Sequence, residues 1–280
     1  MHAAIDFGIS NTDAVAMING TRHFWTRPSM GAPDHDGVRH VLAVGGVDLA
    51  GLPRLAVTGG RHRVLPARLG GCDVVAVPEV SAIGRGGQAL GLGPDDAPDT
   101  PLLVVSAGSG TAVVSARGES YAHITGTGVG GGTLLGLGRL LLGTTDVAVI
   151  DAMALRGDPN GADLALRDVV SGPIGSLPPD ATAVNFGRLA RQLDGEVSPD
   201  DLAAALMTLV GQVIAITAIN AARAERTDRV VVIGHMTDMR SFRRVLTQVQ
   251  QYYGMELTVP ENGGYGTALG ALLHGRAVVA

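Results

Sequence analysis

Short apolar runs that end on glycine dominate the first half of the chain, and longer runs at helical spacing dominate the second. Residues 3–8 (Ala-Ala-Ile-Asp-Phe-Gly) read as a buried strand entering a turn, and residues 11–19 read as the returning strand of a hairpin. Residues 55–58 form a short strand before Gly59-Gly60, and the β-branched run 74–77 stops at Pro78-Glu79. Residues 81–92 have helical character loosened by glycines. The apolar run 101–106 predicts a strand entering Ala107-Gly108-Ser109-Gly110-Thr111, and 111–116 continues as the partner in a second hairpin.

Further along, residues 133–142 and 145–155 carry helical periodicity, whereas 158–179, rich in Gly and Pro, read as a loop or a partly ordered excursion. Residues 199–224 predict a long Ala-rich helix with Ser198 as its N-cap. A strand at 229–233 ends at Gly234, a helix follows at 241–253, and a short strand at 256–259 leads through Glu261-Asn262-Gly263-Gly264-Tyr265-Gly266 into a last Ala-rich helix. No repeat at solenoid periods is visible.

One segment stands out chemically. Residues 126–138 read Gly-Thr-Gly-Val-Gly-Gly-Gly-Thr-Leu-Leu-Gly-Leu-Gly. So few side chains let a backbone approach a bulky anion with several N–H groups free to point at it, and a helix starting at Thr133 would add its positive end. A polyphosphate is the expected guest. A flexible surface loop fits less well, because Leu134, Leu135, Leu137 and Leu140 follow at helical spacing.

Composition narrows the class. With 280 residues, 46% apolar and 17% charged, the chain suits two modest domains or one large one, compact rather than disordered. A net charge of −5 argues against nucleic acid or an anionic membrane as partner. Cys72 is alone, which excludes an internal disulfide and suits a reducing compartment. Asp6 interrupts the first apolar run, so no leader is expected. No membrane span is expected either, on the reading that charges interrupt every apolar stretch of about 18 residues. The expected location is the cytoplasm.

Strand–Asp–x–Gly at the start, strand–Gly–Ser–Gly–Thr in the middle and a Gly-rich helix start afterwards are the parts of an α/β, actin-like ATPase (ASKHA, ribonuclease H-like) fold. Its two lobes clamp phosphates between two hairpin turns. A Rossmann site fits less well, because no Gly-x-Gly-x-x-Gly joins the first strand to a helix, and no Gly-Lys-Ser/Thr of a Walker A loop occurs.

The order of segments resembles type II pantothenate kinases over nearly the whole chain. The matching segments are Asp6-Phe7-Gly8-Ile9-Ser10, Val57-Thr58-Gly59-Gly60, Pro78-Glu79 with the helix after it, and Ala107 to Thr111. Gly130-Gly131-Gly132-Thr133-Leu134-Leu135-Gly136-Leu137 is the most specific, and Val184-Asn185-Phe186-Gly187 and Glu261 to Leu272 complete the set. The resemblance implies an N-terminal lobe at 1–100 with the catalytic acid, and a C-terminal lobe at 101–280 with the Gly-rich nucleotide loop and a dimerisation helix. It also implies transfer of the ATP γ-phosphate to the primary hydroxyl of pantothenate, with Glu79 as general base and Asp6 holding Mg²⁺ through water.

By the same resemblance Gly8, Ser10 and Asn11 line one side of the ATP phosphates, and Gly108, Ser109, Gly110 and Thr111 the other. Gly130, Gly131, Gly132, Thr133 and Leu134 form a further wall. His235 is placed near the nucleotide, although an exposed turn histidine is an equal reading. His123 and Tyr265 are candidates for the acceptor, with Tyr121 as a further contributor. Glu261 and Asn262 serve either the site or as a cap of the last helix. Trp25 and its basic neighbours read as surface or interface rather than a ligand site. The family forms homodimers, and Ala203, Ala204, Ala205, Gly211, Ala215 and Ala218 would allow close helix packing, between copies or within one core.

Two positions depart from the family pattern. Its first turn usually ends in Lys where this chain has Asp13, and an Arg is usual where this chain has His123. Both changes remove positive charge, and a histidine cannot supply the bidentate fork of an arginine. Arg85, Arg139 and Arg156 are candidate compensations. The alternatives are an actin-like kinase for another small hydroxylated metabolite, or a degenerate regulatory homologue that binds nucleotide or acyl-CoA.

Overall fold

The computed structural model describes residues 1–29, 31–172, 174–191 and 197–277. A first sheet is built from β1 (His2–Phe7), β2 (Asn11–Ile18), β3 (Thr21–Pro28), β4 (Arg54–Thr58), β5 (Arg68–Leu69) and β6 (Cys72–Ala76), in the order β3-β2-β1-β4-β6-β5. Helix α1 (His35–Val44) precedes β4, and α2 (Glu79–Gly91) follows β6. The second half opens with β7 (Leu102–Ala107), β8 (Thr111–Arg117) and β9 (Ser120–Thr127), followed by α3 (Gly131–Leu142) and α4 (Val147–Arg156). The Gly/Pro-rich stretch, expected as a loop or a partly ordered excursion, contains β10 (Leu164–Ala165) and α5 (Leu166–Val169), with β11 (Thr182–Val184) pairing back on β10 before α6 (Gly187–Ala190). Then come α7 (Pro199–Glu225), β12 (Val230–Ile233), α8 (Arg240–Tyr253), β13 (Leu257–Thr258) and α9 (Gly266–Ala277).

The second sheet has the order β13-β12-β7-β8-β9. Taken from the other edge, β9-β8-β7-β12-β13 repeats β3-β2-β1-β4-β6 in both order and strand direction: an antiparallel meander, then two parallel additions. The fold is therefore an internally duplicated α/β architecture of the actin-like kind. The two glycine turns, after β1 and after β7, occupy equivalent positions in the two lobes.

Each sheet is covered on both faces, which is why its inner strands are apolar without strict alternation. In the first sheet Ala3, Ile5, Leu55 and Val57 pack towards Val38, Val41 and Leu42 of α1. On its other face Ala4, Val15 and Ala56 meet Ala268, Ala271 and Leu272 of α9. In the second sheet Leu103, Val105, Val113 and Val232 share a core with α7 and α8, while Val104, Val114, Val231 and Ile233 meet Ile83 of α2. Thus α2 and α9 run between the sheets and pack on each other. They touch at backbone level: a Cβ on Gly86 would overlap the carbonyl of Gly266, and one on Gly270 the carbonyl of Ala82. The glycines that loosen α2 in sequence are what let this crossing close.

Three expectations are corrected by the packing. Residues 202–222 carry no charged side chain, and Pro199–Glu225 is long and apolar enough to cross a membrane, with a mean hydropathy of 2.2 over its best window. That window is 67% buried inside the protein, so its apolar character serves the protein's own core. For the same reason Ala203, Ala205, Ala215 and Ala218 face that core, and Gly211 backs onto Val245 of α8. Ser198 does cap α7, accepting from the N–H of Asp201 at 3.1 Å. Trp25 is not a surface residue: it is 9% exposed and its indole N–H donates to the carbonyl of Val41 at 2.7 Å. Finally, α3 begins at Gly131 rather than Thr133, and Gly126 and Thr127 complete β9.

Candidate functional site

The two glycine turns face each other across the lobes. They come close enough for the hydroxyls of Ser10 and Ser109 to lie 2.7 Å apart. Between and behind them is a cavity of about 550 Å³. Asp6, Gly8, Ser10 and Asn11 line it from the first turn, and Gly108, Ser109, Gly110 and Thr111 from the second. Glu79, the first residue of α2, joins them with an exposed side chain, and Gly131, Leu134 and His235 complete the expected set that reaches the cavity.

The Gly-rich segment works differently from the expected cradle. The N–H of Gly131 donates to the carbonyl of Gly108, and that of Gly132 to the carbonyl of Ser109, both at 2.8 Å. These two N–H groups are therefore not free for an anion; they anchor the second turn onto α3. Close approach is the reason for glycine here, since a Cβ on Gly130 would sit 2.8 Å from both carbonyl oxygens, and one on Gly132 would sit 2.9 Å from that of Ser109. Thr133 braces the same corner, accepting from the N–H of Gly130 and donating to the carbonyl of Gly128. Thr111 adds a bond to the carbonyl of Val129. Gly130, Gly132 and Thr133 stand behind the cavity wall rather than on it.

Other candidates fall elsewhere. His123 is exposed on β9, a strand the apolar pattern did not announce, and it is not part of the cavity lining. Tyr121 donates from its hydroxyl to Gln88, and burial pushes that phenol up. Arg85, Arg139 and Arg156 do not line the cavity, and Arg156 is paired with Asp200 at 2.7 Å. Glu261 and Asn262 are exposed, and the Asn262 side chain makes no capping bond. Tyr265 lies behind the wall, 5.2 Å from the Phe24 ring and 5.4 Å, edge-on, from His235.

The structure adds residues that the motifs did not mark. Leu135, Val147, Met236 and Met239 join Leu134 as an apolar part of the cavity, and Ile83, Thr127 and Thr267 line it too. The polar part is acidic. Asp6 on β1 and Asp13 on β2 are register partners across the hairpin, so two carboxylates are held side by side. Burial, then the charges of Asp13 and Glu79, push Asp6 up to about 8.

Asp13 in turn meets His235: its Oδ1 lies 2.8 Å from Nε2, while Asp238 Oδ2 lies 2.6 Å from Nδ1. Burial opposes a charge on His235, but the hydrogen bonds to Asp13 and Asp238 outweigh it and raise the imidazole to about 10. A folded-state value above the ordinary 6.5 contributes stability that is complete below pH 6.5 and lost as pH rises through about 10. Urea unfolding of wild type and His235→Gln is therefore expected to show a stability gap that is widest near pH 6.5 and closes towards pH 10. A gap independent of pH would refute the imidazolium pairing.

Comparison with known proteins gives three findings. The Fumble family model matches residues 93–274. The type II pantothenate kinase of Oceanobacillus iheyensis is 34% identical over 218 residues, covering 78% of this chain and 80% of that one. Among solved structures, the ADPNP-bound activator of the 2-hydroxyisocaproyl-CoA dehydratase from Clostridium difficile aligns with a TM-score of 0.66 at 16% identity, over 98% of this chain and 93% of that one. The ROK family glucokinase of Streptomyces griseus, in complex with glucose and AMPPNP, aligns at 0.60 and 12% identity over 99% of both chains. These two share the fold.

Proposed function

The chain belongs to the type II pantothenate kinase family, and from that premise we propose that it uses ATP to phosphorylate the primary hydroxyl of pantothenate, the first step of coenzyme A biosynthesis. The observation that carries the reading is the meeting of the two equivalent glycine turns at Ser10 and Ser109, with Glu79 on the same cavity wall. Phosphoryl transfer asks little covalent chemistry of a protein; it asks for placement and charge stabilisation. Here the turns hold the triphosphate between the lobes, and separating Ser10 from Ser109 releases both hydroxyls for phosphate oxygens. The apolar part of the cavity, from Leu134 to Met239, suits the base of the nucleotide.

Glu79, which lines the cavity together with Ile83 and Thr127, is assigned as the general base that takes the proton of the attacking hydroxyl. Asp6 is assigned to Mg²⁺. Among the described residues there is no group of three or more side chains able to hold a metal alone. That fits an ion carried in by the phosphates and touched by one carboxylate and water. The crowding of Asp6 by Asp13 and Glu79 is what a divalent cation relieves. When bound, Mg²⁺ offsets the charge of the β- and γ-phosphoryl oxygens.

The reading extends to a cytoplasmic homodimer. Leu140, 79% exposed, with Leu141 and Val149, leaves apolar side chains on α3 and α4 that a second copy would cover. Phosphorus NMR of a reaction with Mg-ATP and pantothenate is expected to show a new phosphomonoester growing in step with ADP. ADP without that ester would sink the assignment of pantothenate as acceptor.

A further inference from the structure

The charge count of the cleft poses a physical problem for a nucleotide site. The described lining residues include the carboxylates of Asp13, Glu79 and Asp238, beside Asp6, whose own carboxyl is held back from ionising by burial and by the charges of Asp13 and Glu79. They include no arginine, and the chain contains no lysine at all. A cavity of this sign repels a triphosphate, and the low-dielectric walls strengthen the effect. Asp13 is the least explained of the four, because it is 7% exposed and its neighbour across the hairpin is another carboxylate.

His235 resolves it. Its ring is wedged between Asp13 and Asp238, at 2.8 Å and 2.6 Å, with Tyr265 edge-on at 5.4 Å. Asp13 belongs to the first lobe, on β2, and His235 to the second, in the turn after β12, so the pair also spans the cleft. Both ring nitrogens are engaged by carboxylates, which leaves neither N–H for a phosphate oxygen. The ring therefore acts on a ligand through Asp13 rather than by contact.

We propose that His235 is a positioning residue whose task is to be the counter-ion of Asp13, cancelling the charge that this carboxylate would otherwise turn on the polyphosphate. The proposal rests on the cleft being a nucleotide site. It separates two roles by sign. If the pair were only a structural tie, removing either partner would weaken nucleotide binding. As a counter-ion pair, removal of the histidine exposes Asp13 and weakens binding, whereas removal of Asp13 does not.

Calorimetric titration of Mg-ATP into wild type, His235→Gln, Asp13→Asn and the double variant tests this. His235→Gln is expected to raise Kd on the order of tenfold, the scale of one unscreened unit charge several ångströms from the ligand. Asp13→Asn is expected to bind at least as tightly as wild type, and the double variant to return within about threefold of it. Asp13→Asn binding about tenfold more weakly, or a double variant as weak as His235→Gln, would overturn the counter-ion role. Asp13→Asn decides the question by itself where the histidine variant does not fold. Wild type that fails to bind Mg-ATP would instead overturn the nucleotide reading, and the proposal with it.

Discussion

Glu79→Gln is expected to lower pantothenate-dependent turnover by about 10²- to 10⁴-fold while binding Mg-ATP at least as tightly as wild type. The split arises from where Glu79 stands. It opens α2, a helix that runs between the two sheets, and lines the cavity there. The substitution keeps the shape; it removes the ability to accept a proton together with one of the negative charges that crowd Asp6. Nucleotide contacts are assigned to the two turns, which Glu79 does not build, so binding is expected to persist. Single-turnover kinetics with Mg-ATP in excess, alongside calorimetry on the same preparation, measures both quantities. A variant that turns over normally would remove Glu79 from the mechanism, and one that loses nucleotide binding in proportion would make it a binding residue.

The second large effect is on the fold. Gly270→Ala is expected to destabilise the protein at or beyond the upper end of the ~1–3 kcal/mol usual for overpacking. The new methyl meets the carbonyl of Ala82 and, at 2.6 Å, the backbone nitrogen of Gly86. Backbone atoms cannot step aside as a rotamer can, so α9 must move off α2. Those two helices lie between the sheets, and their separation also shifts the lobes that carry the two phosphate turns. Against a total stability of about 5–15 kcal/mol, such a loss is large. Gly136→Ala is the control: nothing lies within 4 Å of its added Cβ, on an exposed position of α3, and helix propensity favours the change by up to about 1 kcal/mol. Chemical denaturation of the two variants is expected to move them in opposite directions. Equal midpoints for Gly270→Ala and wild type would contradict the backbone contact between α2 and α9.

Local pattern carried far where an element's identity is written in its own residues. The apolar runs of β1, β4, β7 and β12 and the glycines after them are legible, and so is the capped start of α7. The elements that escaped are those stabilised mainly by neighbours. β3 carries Arg22, His23 and Arg27, and β9 carries Ser120, His123 and Thr125; each forms the edge of a sheet, pairs on one side and shows little apolar alternation. The residue count of a glycine-rich segment also says nothing about what its N–H groups bind. Gly131 and Gly132 donate to Gly108 and Ser109, a contact between segments some twenty residues apart.

The site shows the same division. Asp6, Glu79 and the two turns were visible as motifs, because their chemistry depends on the few residues that close a strand. The partner of Asp13 was not visible, since His235 lies 222 residues away and nothing local links them. One signal was available: His235 and Asp238 are three residues apart in a turn just after a buried strand, a spacing that places a carboxylate beside an imidazole. Met236 and Met239, apolar residues interleaved with that pair, were likewise the mark of a wall shared between polar and apolar surfaces.

The central claim is that this cleft moves the γ-phosphoryl group of ATP to pantothenate. The most direct measurement is coupled ADP release with Mg-ATP held saturating and pantothenate varied, with pantetheine and a panel of small hydroxy acids assayed in parallel. Saturable release that depends on pantothenate, and falls with Glu79→Gln, is the predicted result. Release that is unchanged by pantothenate, or that responds only to another alcohol, would contradict it.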